Sequence, residues 1–195
     1  LGLAAALAAL LALAAASLFV GVGQVGIADL LGRGREGDAA MLLAVSRIPR
    51  TLAVMLAGAS MGIAAVIMQM LFRNRFVEPT TSGTVEAASL GLVVVALLAP
   101  DIPLTAKMAV AASFSLAATF LFLRLVERIP ARTVLLVPLA GLMLGGVIDA
   151  AATFIAYRHD LLQSLASWTT GDFSGVLRGR YELLWIGFAL AALAY

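Results

Sequence analysis

The twenty-two residues from Thr51 to Phe72 hold one strongly polar side chain, Gln69, and are bracketed by Arg47 and Arg50 before them and Arg73 and Arg75 after them. As a helix rising ~1.5 Å per residue, such a run crosses a hydrocarbon core of ~30 Å. An arginine at mid-bilayer costs about 3 kcal/mol on insertion scales, so the two pairs belong at opposite faces. The excess of basic residues in cytoplasmic loops accounts for one pair only. The other pair needs its own reason, and a docking partner supplies one.

Composition agrees with a membrane setting. With 63% hydrophobic and 12% charged residues and a mean hydropathy of +1.06, the chain lies outside the range of soluble domains and reads as an integral membrane protein. Its net charge of +2 is small and its arginines cluster at the ends of apolar segments, which gives no support to nucleic-acid binding. The absence of cysteine excludes disulfides, thiolate metal sites and cysteine nucleophiles. Residues Leu1 to Val20 lack a basic leader and outrun an ordinary signal-peptide core, so they read as a first spanning helix of a chain trimmed at its start.

Apolar segments at Leu1–Val22, Thr51–Phe72, Val85–Leu98, Leu104–Val126, Thr133–Tyr157 and Leu183–Tyr195 predict an all-α, polytopic transmembrane helix bundle, with five complete spans and a partial sixth in a single domain over 1–195. The third segment is short for a crossing and follows an irregular elbow at Glu78–Gly83, so it is expected to be packed by protein rather than lipid. Between the fifth and sixth segments, Leu161, Leu162, Leu165 and Trp168 fall at helical spacing and are expected to lie along the membrane surface, with Gly171 and Gly175 as turns. Loops 73–84 and 124–132 pack Arg73, Arg75, Arg124, Arg128 and Arg132 into short connections, which favours a cytoplasmic location for that side.

Several motifs carry more than one reading. Gly21-Val-Gly-Gln-Val-Gly26 matches a dinucleotide-binding pattern in letters but ends an apolar helix instead of following a strand, so it lacks the context for nucleotide binding. The pairs Gly58/Gly62 and Gly141/Gly145 place two glycines on one helical face and suit close helix packing. Glu86, in the first turn of the third segment, either meets free backbone N–H groups there or lines a translocation path. Asp149, inside the fifth segment, either bonds Thr153 one turn on or faces a polar pathway, where Gln69 is a further candidate. Arg47 and Arg50, three residues apart around Pro49, form either a headgroup-facing pair or a docking pair. His159 is the sole histidine, so no metal site is expected, and no catalytic triad, HExxH or P-loop pattern indicates catalysis or a cofactor within the chain.

At these residues the chain resembles a known family. Arg47-Ile-Pro49-Arg50-Thr51, Gly58, Gln69, Leu71-Phe72-Arg73-Asn74, Glu78-Pro79 and Gly83, followed by Trp168 and Gly171, are similar to the permease subunits of iron–siderophore and cobalamin ABC importers. The likeness covers essentially the whole sequence. Within the family, Asn74–Thr84 and Gly171–Glu182 look like the branch that handles ferric catecholate or mixed-ligand siderophores.

The resemblance implies a multi-pass permease of roughly ten helices in the bacterial inner membrane. Two such subunits, identical or different, would surround a central pathway, driven by two cytoplasmic ATPase subunits and fed by an extracytoplasmic substrate-binding protein. It also implies that Arg47 and Arg50 face outward and receive glutamates of that binding protein. Each exposed pair is worth only ~0–1 kcal/mol, so the effect falls on encounter rate and register. The family's coupling loop follows the sixth helix, whereas this sequence stops at Tyr195 within that helix, so a fragment of a longer permease is expected. Two rivals stay open from the residues alone: an intramembrane enzyme using Glu86 or Asp149 as acid or base, and a proton-coupled secondary carrier.

Overall fold

The computed structural model describes residues 2–19, 41, 43–129, 135–171, 173, 176 and 184–194. The Gly21–Gly26 motif, Arg132 and Gly175 lie outside the described residues. All regular structure among the described residues is helical. The chain divides into two compact units, Leu1–Ser60 with Phe173–Leu190, and Met61–Asp172 with Ala191–Tyr195.

In the first unit, α1 (Gly2–Phe19) is apolar on every side and exposed for most of its length. Its one hydroxyl, Ser17, donates to the Ala14 carbonyl at 2.8 Å and shares a hydrogen bond with Thr51 at 3.0 Å. The half-buried Arg47 donates from Nη1 to the Leu18 carbonyl at 2.6 Å. A guanidinium there satisfies an orphan carbonyl and complements the negative end of the helix dipole. Residues Leu43–Arg47 form a π-helical turn that runs into α2 (Ile48–Phe72). Pro49, fully buried two residues further on, accounts for the wider turn, because its ring would clash with the carbonyl four residues back in an α register.

The second unit takes the end of α2 and adds α3 (Thr84–Leu98), α4 (Leu104–Val126), α5 (Leu136–Arg158) and α6 (Leu162–Thr169). Among the described residues, three helical stretches are long and apolar enough to cross a membrane: Leu43–Phe72, α4 and α5. Little of their surface is buried within the chain, as expected for helices covered by lipid or by other protein. By contrast α3, of fifteen residues, buries Thr84, Ala87, Ser89, Gly91, Val93 and Val95 and is packed by α4, α5 and α6. Near-uniform apolarity is the pattern of a helix enclosed on all sides. A Cβ at Gly91 would come within 3.0 Å of the Phe114 ring, so the glycine lets α4 approach closely.

Two apolar clusters hold this unit. Val93, Ala152, Ala156 and Leu165 form one. Met68, Val77 and the fully buried Phe122 form the other, with the Phe72 and Phe122 ring centroids 4.8 Å apart. Within the stretch expected along the membrane surface, Leu165 is the buried position, while Leu162 is exposed. α6 turns Leu165 into the cluster between α3 and α5, while Trp168 stays partly exposed. Burying a leucine against small residues of two helices outweighs leaving it at the interface. Downstream in the chain, α7 (Leu184–Ala194) carries an edge-to-face pair, Trp185 and Phe188, with centroids 6.1 Å apart.

Candidate functional site

The elbow between α2 and α3 is built from side-chain bonds to backbone. At the end of α2, Arg73 adopts a left-handed φ of 47°, and the Asn74 N–H closes back on the Gln69 carbonyl at 3.0 Å. The buried Asn74 then accepts the Phe76 N–H on Oδ1 at 3.0 Å, a local turn that asparagine forms in place of helix. The Glu78 N–H donates to Thr81 Oγ1 at 2.9 Å, and Thr80 Oγ1 donates to Glu78 Oε1 at 2.7 Å, around a 3₁₀ turn at Pro79–Thr81. The Pro79 carbonyl accepts both Thr84 Oγ1 at 2.7 Å and Ser82 Oγ at 3.0 Å. These bonds satisfy polar groups of the elbow's irregular backbone within the protein itself. Gly83, at φ 78°, opens α3 in a conformation that glycine adopts without steric cost.

Helix α5 meets the elbow through glycines. A Cβ at Gly141 would overlap the Thr81 carbonyl oxygen and come to 3.0 Å from the Phe122 ring. One at Gly145 would lie 3.3 Å from Gly83 Cα and 3.3 Å from both Cδ and Oε2 of Glu86. This face therefore receives a loop and the first turn of α3, an approach that a methyl group on either glycine would oppose. Gly58 and Gly62 differ: among the described residues nothing lies within 4 Å of a Cβ built at either.

Beyond Gly145, helices α3, α5 and α6 line a cleft of about 380 Å³, bordered by Val85, Glu86, Ser89, Gly145, Gly146, Asp149 and Thr169. Glu86 is half-buried on α3. Its Oε2 is buried and has no hydrogen-bond partner among the described residues, so this oxygen makes no bond to a first-turn amide. Asp149 is exposed on α5, and no bond joins it to Thr153 among the described residues. Ser89 Oγ donates to the Val85 carbonyl at 3.1 Å and Thr169 Oγ1 to the Leu165 carbonyl at 3.1 Å. With their protons used on helix backbone, the hydroxyls retain acceptor lone pairs, so the cleft is rich in hydrogen-bond acceptors.

The structure thus brings Glu86 and Asp149 to one cleft and leaves Gln69 out of it; Gln69 is half-buried on α2, where its carbonyl closes the elbow. Arg47 and Arg50 belong to the other unit, Arg50 exposed and Arg47 half-buried. Among the described residues no group of three His, Cys, Asp or Glu side chains could hold a metal ion. Four lining residues, Val85, Ser89, Gly146 and Thr169, escaped the sequence reading. Ser89 stands one turn from Glu86 and was findable by spacing. Gly146 sits beside the glycine pair, and Thr169 comes from a distant segment that gives no local signal.

Comparison with known proteins bears on the whole of this arrangement. Residues 9–195 match the FecCD transport family. The petrobactin import system permease protein YclN of Bacillus subtilis (strain 168) is 45% identical over 186 residues, covering 95% of this chain and 58% of the relative. The ferric-anguibactin transport system permease protein FatD of Vibrio anguillarum is 37% identical, covering 94% and 58%. The chain therefore spans somewhat over half the length of these curated relatives. A solved structure described as a metal-chelate type ABC transporter in an inward-facing conformation matches 93% of this chain and 56% of its own, with a TM-score of 0.69 at 20% identity, a likeness of fold. A transmembrane-length helical architecture, a matching fold and a family match running from residue 9 to residue 195 agree: the chain belongs to the FecCD transport family.

Proposed function

We propose that this chain is part of the permease subunit of an ABC importer that carries an iron–siderophore complex across the inner membrane of a bacterium. Residues 1–195 then form part of one transmembrane permease domain. The observation that carries this reading is the 45% identity to a petrobactin import permease along 95% of the chain. ATP hydrolysis falls to two partner ATPase subunits, a second permease subunit completes the pathway, and a substrate-binding protein delivers the chelate. The permease alternates between inward- and outward-facing states, and the partners act through contacts that differ between those states. Arg47 and Arg50 serve as docking positions for the binding protein. Glu86 and Asp149, which share the acceptor-rich cleft, face the translocation path. An ionisable pair at span depth has to meet protein or water, and a hydrated pathway meets that requirement.

Uptake of radio-iron-loaded petrobactin, measured in cells expressing the permease with its partner subunits, tests the reading. Uptake is expected to stop on ATP depletion and to persist when the proton gradient is dissipated with ATP held constant. The opposite dependence would identify a proton-coupled carrier. Turnover of the chelate by the chain alone would identify an enzyme.

A further inference from the structure

Gly145 touches the one side chain in the cleft with an orphaned oxygen. Its Cα faces both Gly83, where α3 begins, and the Glu86 carboxylate, with 3.3 Å from a hypothetical Cβ to Cδ and Oε2. Gly83 in turn approaches α5 so closely that a Cβ there would lie 3.1 Å from the Gly145 nitrogen. The start of α3 and the Glu86 side chain are therefore pressed against the same bare stretch of helix. Glu86 Oε2 is buried there without accepting a hydrogen bond from any described residue. That oxygen meets Gly145 by contact alone, with no hydrogen bond from a described residue.

We infer that Gly145 is a positioning residue for Glu86: the missing side chain at 145 sets how deep the carboxylate sits beside the cleft and thereby how it presents to a passing ligand. This rests on the reading that Glu86 faces the translocation path. Gly146, the next residue, has no described residue within 4 Å of a built Cβ although it lines the same cleft, so the contact belongs to position 145. A carboxylate one methylene shorter would relieve the Glu86 side of the contact that a methyl at 145 meets, leaving only the one to Gly83 Cα. An amide of the same length would not.

The test is a mutant cycle in the complete permease with its partners, read as uptake of radio-iron-loaded petrobactin at matched membrane abundance. Gly145→Ala is expected to lower uptake roughly tenfold, the scale on which side chains in contact couple. Adding Glu86→Asp should recover several-fold of that loss, while adding Glu86→Gln should recover none. Equal defects in Gly145→Ala and Gly145→Ala/Glu86→Asp would overturn the positioning role. If Gly145→Ala fails to accumulate, abundance becomes the readout, and the same Asp-only recovery is required. Glu86→Gln alone separates the two layers: full uptake in that variant sinks the pathway reading itself, whereas lost uptake combined with an absent Asp rescue sinks only the inference about Gly145.

Discussion

The carbonyl oxygen of Thr81 occupies the space that a side chain at Gly141 would need. A backbone atom cannot swing away as a flexible side chain can, so the elbow and α5 would have to separate. Gly141→Ala is expected to destabilise the protein by ~3 kcal/mol, at the upper end for overpacking. Gly146→Ala, with open space around it, should be neutral or stabilising because alanine favours the helix by ~1 kcal/mol over glycine. Thermal unfolding of the detergent-solubilised permease distinguishes the two, and equal transitions would refute the assigned contact.

Gly83 and Gly171 share a left-handed backbone, at φ 78° and 66°, but not the same surroundings. Among the described residues a built Cβ at Gly171 meets nothing within 4 Å, whereas one at Gly83 meets the α5 backbone. Alanine at either position carries the left-handed cost of ~1–2 kcal/mol. Only Gly83→Ala adds a packing clash, so its melting temperature should fall further. A larger drop for Gly171→Ala would contradict this ordering.

Phe122 is fully buried, and its ring lies tilted against Phe72. Phe122→Ala should cost about 3–5 kcal/mol through the cavity it leaves. Phe120, exposed on the same helix with its ring under the Arg124 guanidinium, loses little packing within this chain on truncation. Denaturation of the two variants side by side gives the comparison. A Phe120→Ala effect as large as that of Phe122→Ala would place the core elsewhere.

Arg47 and Arg50 can be tested separately at the proposed docking face. Arg47 also binds the Leu18 carbonyl, so Arg47→Ala loses a charge-assisted bond of ~1.5–3 kcal/mol along with any docking role. Arg50→Glu is expected to slow association with the purified binding protein by about tenfold at low salt, with the difference shrinking as ionic strength rises. An association rate unchanged by Arg50→Glu at low salt would return that arginine to a headgroup-facing role.

Much of this architecture was legible because the bilayer imposes simple arithmetic. The length of Thr51–Phe72 and the arginines around it marked a span, and the Pro-Thr-Thr-Ser-Gly run marked an elbow whose backbone needed partners. The short third segment was legible as a protein-packed helix for the same reason. What could not be read was pairing at a distance. Nothing local to Gly141 announces that Thr81 lies against it, and nothing local to Thr169 announces a place beside Glu86. Nor does helical spacing say that Leu165, among the apolar residues of its stretch, is the one that two neighbouring helices cover. Glu86 and Asp149 were legible as ionisable groups in apolar segments, but their meeting in one cleft depends on how α3 and α5 cross.

The brevity of α3 has a consequence for how the protein is made. At fifteen residues, with a glutamate in its first turn, it is too short to partition into a bilayer by itself. Its fifteen residues are joined through a short connection to α4, which is long and apolar enough to insert unaided. The Ser115 hydroxyl on α4 donates to the Thr84 carbonyl at 2.7 Å, tying the two helices together at the elbow. Insertion of α3 together with α4 is the expected consequence, and Glu86, which lies against Gly145, is covered only once α5 has joined the pair.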